Sequence, residues 1–257
     1  MEIVICYLIH DLGALKACSL TCHSRYTAAS PHLHHNLTLV GDRSDAGRTR
    51  LEPLYKLHEL CLVHLVRVIR VKQGRYTRWF VPQAFSHIGL CRFSALANVH
   101  TLKVQNLDIP RFIPGVERHF GQFSQTLRSI TLYDPFCTPE QLSHFLSLFS
   151  GLDNIGIRNA LAGGIIPGTS DTRLVPFSAL KLGGRLALYN FNWAETWTSI
   201  TASNGDLRFR HMDLRGSATC APVLFKASGE TLETLRFSMR DVPAGGWFCT
   251  RPSVELH

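Results

Sequence analysis

One spacing of apolar residues returns along the chain between residues 68 and 237, and it constrains the fold more than any other feature. Six copies contain two apolar residues separated by a single position, with another apolar residue three positions before or after the pair. Such a segment suits a short strand that buries alternate residues before the chain turns away. The copies are Leu96-x-x-Val99-x-x-Leu102-x-Val104-x-x-Leu107-x-Ile109, Leu127-x-x-Ile130-x-Leu132, Leu152-x-x-Ile155-x-Ile157, Leu186-x-Leu188-x-x-Phe191, Phe209-x-x-Met212-x-Leu214 and Leu232-x-x-Leu235-x-Phe237, with Val68-Ile69-Arg70-Val71 as an earlier candidate.

The copies recur at intervals that suit a stacked repeat. Equivalent points placed at residues 102, 132, 157, 188, 214 and 237 are separated by 30, 25, 31, 26 and 23 residues. Units of this size cannot bury their apolar faces alone and have to stack on one another. The sequence therefore predicts a right-handed α/β solenoid, with a non-repeating open α/β sandwich as the alternative.

Amphipathic stretches with helix start signals fill three of the intervals. Thr138 precedes Pro139 and Glu140, which is the order of an N-cap, a proline at the first helical position and an acidic first turn. Further helices are predicted over residues 193–200 and 220–227, and Pro222 lies in the first turn of the second. Each predicted unit therefore consists of a strand, a turn, a helix and a turn.

The first forty residues have a different pattern. Apolar residues recur there at helical spacing, with Gly13 predicted to break the run and Thr38-Leu39-Val40 predicted to be extended. Residues 41–50 are polar and rich in Arg, Asp, Ser and Gly. We expect a helical unit at 1–40, a linker at 41–50 and the repeats at 51–257. The apolar positions are Val4, Leu8, Leu12, Leu15 and Leu20.

Composition places the chain among ordinary folded proteins. Its 257 residues are 45% hydrophobic, and 27 basic against 19 acidic side chains give a formal net charge of +8. The eight cysteines are scattered without a Cys-x-x-Cys pair, so we expect buried free thiols in a reducing compartment. With no apolar run near the length of a membrane span and no signal peptide recognised, we expect a cytoplasmic or nuclear protein without a membrane partner.

Two parts of the chain resemble a known family. Residues 14–24, ALKACSLTCHS, with the His-rich segment 31–37, resemble the second half of the F-box of the large fungal F-box families. Residues 124–132, 207–214 and 229–236 are similar to the leucine-rich-repeat portion of the same proteins. The chain departs from the family where an F-box usually opens with Leu-Pro-x-Glu, since it begins Met1-Glu2-Ile3, and at Arg25, where Trp is common.

The resemblance implies a substrate-recognition subunit of an SCF-type cullin–RING ubiquitin ligase. A partial F-box would dock on the Skp-type adaptor through apolar side chains, and the repeats would present a protein target for ubiquitin-dependent degradation. The alternatives are that these side chains pack on the first strands, and that the chain is a repeat scaffold without a ligase link. The predicted adaptor-binding residues are Leu8, Leu12, Leu15, Leu20 and Cys22.

Side chains that alternate with the buried pairs are predicted to stack in two columns on the concave face of the solenoid. The outer column is Lys72, Gln105, Tyr133, Arg158, Tyr189, Arg215 and Ser238. The inner column is Arg70, Lys103, Thr131, Gly156, Ala187, Asp213 and Arg236. Arginine and tyrosine carry much of the energy of protein interfaces, so the columns predict an acidic or phosphorylated protein target. The predicted target-binding residues are Lys72, Lys103, Tyr133, Arg158, Tyr189, Asp213, Arg215 and Arg236; alternatively, the basic side chains only keep the surface solvated.

The sequence contains no G-x-S-x-G, H-E-x-x-H, P-loop or G-x-G-x-x-G motif, so we expect neither catalysis nor a cofactor. The nearest approach to a metal site, Cys18, Cys22, His32, His34 and His35, does not have the spacing of a zinc finger. A third functional class is a basic nucleic-acid-binding solenoid. The residues that favour it are Arg67, Arg70, Lys72, Arg75, Tyr76, Arg78 and Trp79.

Overall fold

A computed structural model describes residues 8, 10–41, 56–57, 59–73, 96–106, 109, 125–149, 151–162, 184–191, 198, 208–216 and 220–238. Within these residues the chain is an α/β fold with a parallel sheet of eight strands, a second parallel pair of strands and four α-helices. The predicted helix at 193–200 lies almost wholly outside the described residues. None of the helices in the described ranges is long and apolar enough to cross a membrane.

The elements are numbered in chain order. The helices are α1 (Leu12–Ser19), α2 (His23–Leu33), α3 (Pro139–Ser147) and α4 (Ala221–Ser228), with a 3₁₀ turn at Val63–Leu65. The strands are β1 (Asn36–Gly41), β2 (Val68–Gln73), β3 (Thr101–Gln105), β4 (Ser129–Tyr133), β5 (Phe136–Cys137), β6 (Asn154–Arg158), β7 (Leu161–Ala162), β8 (Arg185–Tyr189), β9 (His211–Arg215) and β10 (Thr234–Ser238).

The large sheet has the strand order β1-β2-β3-β4-β6-β8-β9-β10, which is also the order along the chain, and β5 pairs with β7. All seven predicted strands are present. One equivalent point is wrong, because Leu102 pairs with Ile130, whereas Val104 is the partner of Leu132. The first interval is therefore 28 residues, from Val104 to Leu132, rather than 30.

One face of the sheet forms the main core. The apolar pair of each strand of the large sheet from β3 to β9 is buried, as at Leu102 and Val104, and helix α3 contributes Phe145, which is completely buried. The predicted N-terminus of α3 is confirmed. The Thr138 hydroxyl accepts a hydrogen bond from the amide of Gln141, whose side chain accepts one from the Thr138 amide.

Helices α1 and α2 form a small separate core, in which Leu15 packs against Ala29. The predicted break in the helical run is present, but it lies at His10 and Asp11 rather than at Gly13, which is in the first turn of α1. Asp11 caps α1 by accepting a hydrogen bond from the amide of Ala14 at 3.0 Å. The extended conformation predicted for Thr38-Leu39-Val40 is confirmed by β1. Residues 36–40 lie within the predicted unit 1–40 but belong to the sheet, since β1 pairs with β2 and buries Leu37 in the main core.

A left-handed residue follows five strands at the same position. These residues have φ between 50° and 61°, which Asn, Asp and Gly tolerate best. Each donates its amide to the carbonyl of the last residue of the next strand in the large sheet, as Asn159 does to Tyr189 at 2.8 Å. This pattern was not predicted from the sequence, although the residue types indicate it. The five are Asn106, Asp134, Asn159, Asn190 and Gly216.

No disulfide joins the described cysteines, but the prediction that they are buried holds for only two of them. Cys137 and Cys220 are buried, whereas Cys22 and Cys61 are exposed and Cys18 is partly exposed. The helical and turn positions of these three place their side chains toward the surface. The other three cysteines, at positions 6, 91 and 249, lie outside the described residues.

Candidate functional site

The face of the large sheet opposite the core carries both predicted columns, and we call it the polar face. Strand pairing places each member of the outer column beside the next, from Lys72 through Gln105, Tyr133, Arg158, Tyr189 and Arg215 to Ser238. The same register aligns the inner column from Arg70 to Arg236. All eight predicted target-binding residues therefore lie on one face, within two adjacent rows.

Arginine and tyrosine side chains alternate along the middle of the outer column. The guanidinium carbon of Arg158 lies 5.3 Å from the ring centroid of Tyr133 and 4.3 Å from that of Tyr189. The guanidinium carbon of Arg215 lies 5.2 Å from the Tyr189 ring. Each such cation–π contact contributes on the order of 0.5–1 kcal/mol at an exposed site, so the row is ordered before any partner binds. We call these four residues the Tyr–Arg ladder.

A buried carboxylate anchors one end of the ladder. Asp213 is 2% exposed and accepts a hydrogen bond from the Tyr189 hydroxyl at 2.8 Å. Arg215 donates to the same carboxylate through Nε at 2.9 Å and Nη2 at 3.2 Å, and Nη2 of Arg185 lies 3.7 Å away. These cations and the hydroxyl offset the cost of burying the charge. Asp213 was predicted to contact a target. It is instead covered by neighbouring side chains, and its carboxylate holds Tyr189 and Arg215 in place.

The same contacts set the protonation of the ladder. Burial raises the pKa of Tyr189, and the hydrogen bond to Asp213 and the negative charge of that carboxylate raise it further. Hydrogen bonding to Asp213, together with its charge, raises the pKa of Arg215. Near neutral pH the Tyr189 hydroxyl therefore remains a donor and Arg215 a cation. Arg185, at the start of β8, belongs to this cluster but was missed from sequence because it lies outside both columns.

Two cavities open on the polar face. The first, of about 290 Å³, spans β2 to β4 and includes Arg70, Lys72, Lys103 and Tyr133 in its lining. The second, of about 230 Å³, spans β4 to β8 and shares Tyr133 with the first. Its inner-column residues are Thr131, Gly156 and Ala187, which have short side chains or none. Its outer-column residues are Tyr133, Arg158 and Tyr189, and its strand-start residues are Ser129, Asn154 and Arg185.

The cations of the cavities differ in how they are neutralised. Among the described residues, Arg70, Lys72 and Lys103 have no ion-pair or hydrogen-bond partner, and Arg70 and Lys72 are exposed. The acidic residue beside them is Asp134, whose carboxylate accepts a hydrogen bond from the side-chain amide of Asn159 at 3.1 Å. The first cavity is therefore strongly cationic, while in the second Asp213 compensates part of the charge of Arg185.

The predicted adaptor-binding residues separate into two groups. Leu15 is fully buried, and Leu8 packs against the same small core, so these two stabilise the helical pair and do not pack on the strands. Leu12 and Leu20 are 54% and 87% exposed, and Cys22 is exposed as well. Leu12 begins α1 and Leu20 is its C-cap, so the two leucines lie at opposite ends of the helix. Of the five predicted residues, Leu12, Leu20 and Cys22 are therefore the ones exposed to a partner.

The residues that favour nucleic-acid binding lie only partly within the described part of the chain. Arg75, Tyr76, Arg78 and Trp79 lie outside the described residues, and the guanidinium of Arg67 is directed to the carbonyl of Asn98 at 3.4 Å. The described ranges contain no group of three or more His, Cys, Asp or Glu side chains placed to hold a metal ion. No protein-family model matches the sequence, and neither does any curated protein at a significant level.

Proposed function

We propose that this chain is a non-catalytic target-recognition subunit that binds an acidic protein through the polar face. One observation carries the proposal: Arg158 is held between the rings of Tyr133 and Tyr189 while its N–H donors have no partner among the described residues. Ordered arginine and tyrosine side chains lose little freedom on binding, and they are the residue types that dominate interface energies. The surrounding positive charge favours an acidic partner.

The proposed architecture is an α/β solenoid of the leucine-rich-repeat type, with the polar face on its concave side. Support comes from eight parallel strands that follow chain order and from left-handed residues that recur after equivalent strands. Repeats that stack only on their neighbours produce both features. Such a solenoid presents its strand side chains to a partner in long parallel rows, which matches the two columns of the polar face.

The proposed ligase link rests on the resemblance of residues 14–24 and 31–37 to an F-box, and on the exposed leucines at the two ends of α1. Leu12 and Leu20 leave apolar surface uncovered on a helical pair whose own core centres on Leu15 and Ala29. Apolar side chains of this kind form the centre of stable protein interfaces. In this proposal they bind the Skp-type adaptor of an SCF-type cullin–RING ubiquitin ligase, in the cytoplasm or nucleus.

Target binding is tested by reversing charge on the polar face. The variant Arg158→Glu/Lys103→Glu changes two cations of adjacent cavities, and Lys226→Glu, on the exposed surface of α4, is the control for charge reversal elsewhere. Quantitative mass spectrometry compares the proteins that co-purify with each form. We expect the double variant to lose partners that the control retains; identical partner sets would contradict the proposal.

Adaptor binding is tested separately on α1. The variant Leu12→Ser/Leu20→Ser removes the exposed leucines, and Leu60→Ser removes a leucine that is 61% exposed elsewhere. We expect the purified Skp-type adaptor to bind the unaltered chain and the Leu60 variant but not the double variant. Failure of the unaltered chain to bind would leave the alternative proposal, a repeat scaffold without a ligase link.

A further inference from the structure

We propose that the two cavities together bind an extended acidic segment of the target, with carboxylates at positions i and i+3 and a polyproline-II backbone. This inference rests on the proposed function, because it specifies what the polar face recognises. One carboxylate enters the second cavity beside Arg158. The other enters the first cavity among Arg70, Lys72 and Lys103.

The spacing of the carboxylates follows from the sheet. The cavities are centred on β3 and β6, which are two strands apart because β4 lies between them. Neighbouring strands lie about 4.8 Å apart, so the centres are separated by about 10 Å. A polyproline-II helix rises about 3.1 Å per residue and has three residues per turn, so side chains at i and i+3 point the same way about 9 Å apart. A β-strand places i and i+3 on opposite sides.

The backbone conformation follows from the direction of the cavities. The two cavities lie one after the other in the direction perpendicular to the strands. A segment that fills both therefore crosses the strands and does not pair with an edge strand of the sheet. Such a segment has no ladder of backbone hydrogen bonds to join. The polyproline-II conformation needs none, because its amides and carbonyls remain solvated.

The ladder selects a planar anion at Arg158. The guanidinium carbon of Arg158 lies over the Tyr133 and Tyr189 rings, and the N–H donors at the edge of the group have no partner among the described residues, so they remain for a ligand. A carboxylate accepts two parallel hydrogen bonds from such an edge. The short side chains at Gly156 and Ala187 leave the depth for an Asp or Glu side chain to reach it.

The same stacking argues against single-stranded nucleic acid. Non-specific binding of single strands uses aromatic rings as platforms for bases. In the ladder, Arg158 and Arg215 both stack on the Tyr189 ring, and Arg158 also stacks on Tyr133. The rings are therefore already engaged by guanidinium groups, and the available hydrogen-bond donors belong to the cations.

Fluorescence anisotropy of labelled peptides on the full chain tests the spacing. One proline-rich peptide carries two Glu residues at i and i+3, and its control has the same composition with the two Glu residues adjacent. We expect the spaced peptide to bind at least tenfold more tightly. Equal affinities would overturn the proposal, as would tighter binding of a phosphoserine peptide or of a single-stranded oligonucleotide of matched charge.

Two variants assign the effect to the second cavity. Gly156→Leu fills the cavity, and a Cβ there lies 3.2 Å from the Thr131 methyl, a contact that a small shift relieves. Arg158→Lys keeps the charge but removes the planar edge. We expect both to abolish the preference for the spaced peptide; an unchanged preference would contradict the assignment. If Arg158→Glu/Lys103→Glu loses co-purifying proteins while the peptides show no preference, only the acidic-segment inference fails.

Discussion

The hydroxyl of Tyr189, on β8, donates a hydrogen bond of 2.8 Å to Oδ2 of Asp213, on the neighbouring strand β9. Because the carboxylate is almost completely buried, this bond fixes the orientation of a tyrosine whose ring carries both Arg158 and Arg215. A buried acid therefore orders an exposed row of basic and aromatic side chains. The relationship connects the packing of the sheet to the surface proposed to bind a target.

Removing that hydroxyl tests the relationship. Tyr189→Phe keeps the ring but leaves the buried Asp213 carboxylate with one donor fewer. We expect the free energy of unfolding to fall by about 1.5–3 kcal/mol, the usual net value of a hydrogen bond to a charged group. Equilibrium urea denaturation measures the loss, and Tyr133→Phe, with the same change of side chain, is the control. Equal effects in the two variants would show that Asp213 does not anchor the ladder.

The left-handed residue after β6 gives a second prediction. Asn159 has φ of 51°, donates to Asp134 and accepts from Asn190 through its side chain. Asn159→Ala loses both bonds and adds the strain of a left-handed alanine, roughly 1–2 kcal/mol. Asn159→Gly loses the bonds without the strain. We expect alanine to lower the free energy of unfolding more than glycine; the reverse order in denaturant titrations would contradict the assigned conformation.

Gly184, immediately before β8, is predicted to tolerate no side chain. A Cβ there would collide with the carbonyl oxygen of Asp153 and lie 3.0 Å from Oδ1 of Asn154, which accepts a hydrogen bond from the Arg185 amide. Because the obstructing atom is backbone, Gly184→Ala should destabilise by about 1–3 kcal/mol. Gly156→Ala is the control, since its nearest contact is the movable Thr131 side chain. Similar melting temperatures for the two variants would refute the prediction.

The histidines that precede β1 predict a dependence of stability on pH. Burial lowers the pKa of His34, and burial with the nearby charges of His100, Arg67 and His32 lowers that of His35. As pH falls below the ordinary value of 6.5, the unfolded chain takes up these protons first, so stability decreases. Replacing His34 and His35 by Gln should reduce this decrease between pH 7 and pH 5. An unchanged slope in thermal unfolding would exclude the two side chains as its source.

The strands and the two columns could be predicted because strand geometry alone determines which residues share a face. Alternate burial places Ile130 and Leu132 in the core, and it necessarily places Thr131 and Tyr133 opposite them. The first repeat interval could not be predicted, since both Leu102 and Val104 fit the pattern and only the pairing with β4 distinguishes them. Local periodicity thus defines faces well and register less well.

The burial of Asp213 could not be predicted from its own strand. It lies in the inner column, where alternation indicates solvent, yet it is covered by Arg215 two residues away and by Tyr189 and Arg185 from the preceding strand. Tyr189 and Arg185, which cover the Asp213 carboxylate, lie 24 and 28 positions earlier in the chain. The resulting ladder is a property of adjacent strands and leaves no signal in a single repeat.

Site-specific photo-crosslinking tests most directly whether the polar face binds the target. A photoreactive residue replaces Gln105, which is exposed in the outer column and lines the first cavity, or Lys226, which is exposed on α4. The partners examined are those that co-purify with the unaltered chain and are lost from Arg158→Glu/Lys103→Glu. We predict that these proteins crosslink at position 105 and not at position 226. Crosslinking at position 226 alone, or equally at both, would contradict binding through the polar face.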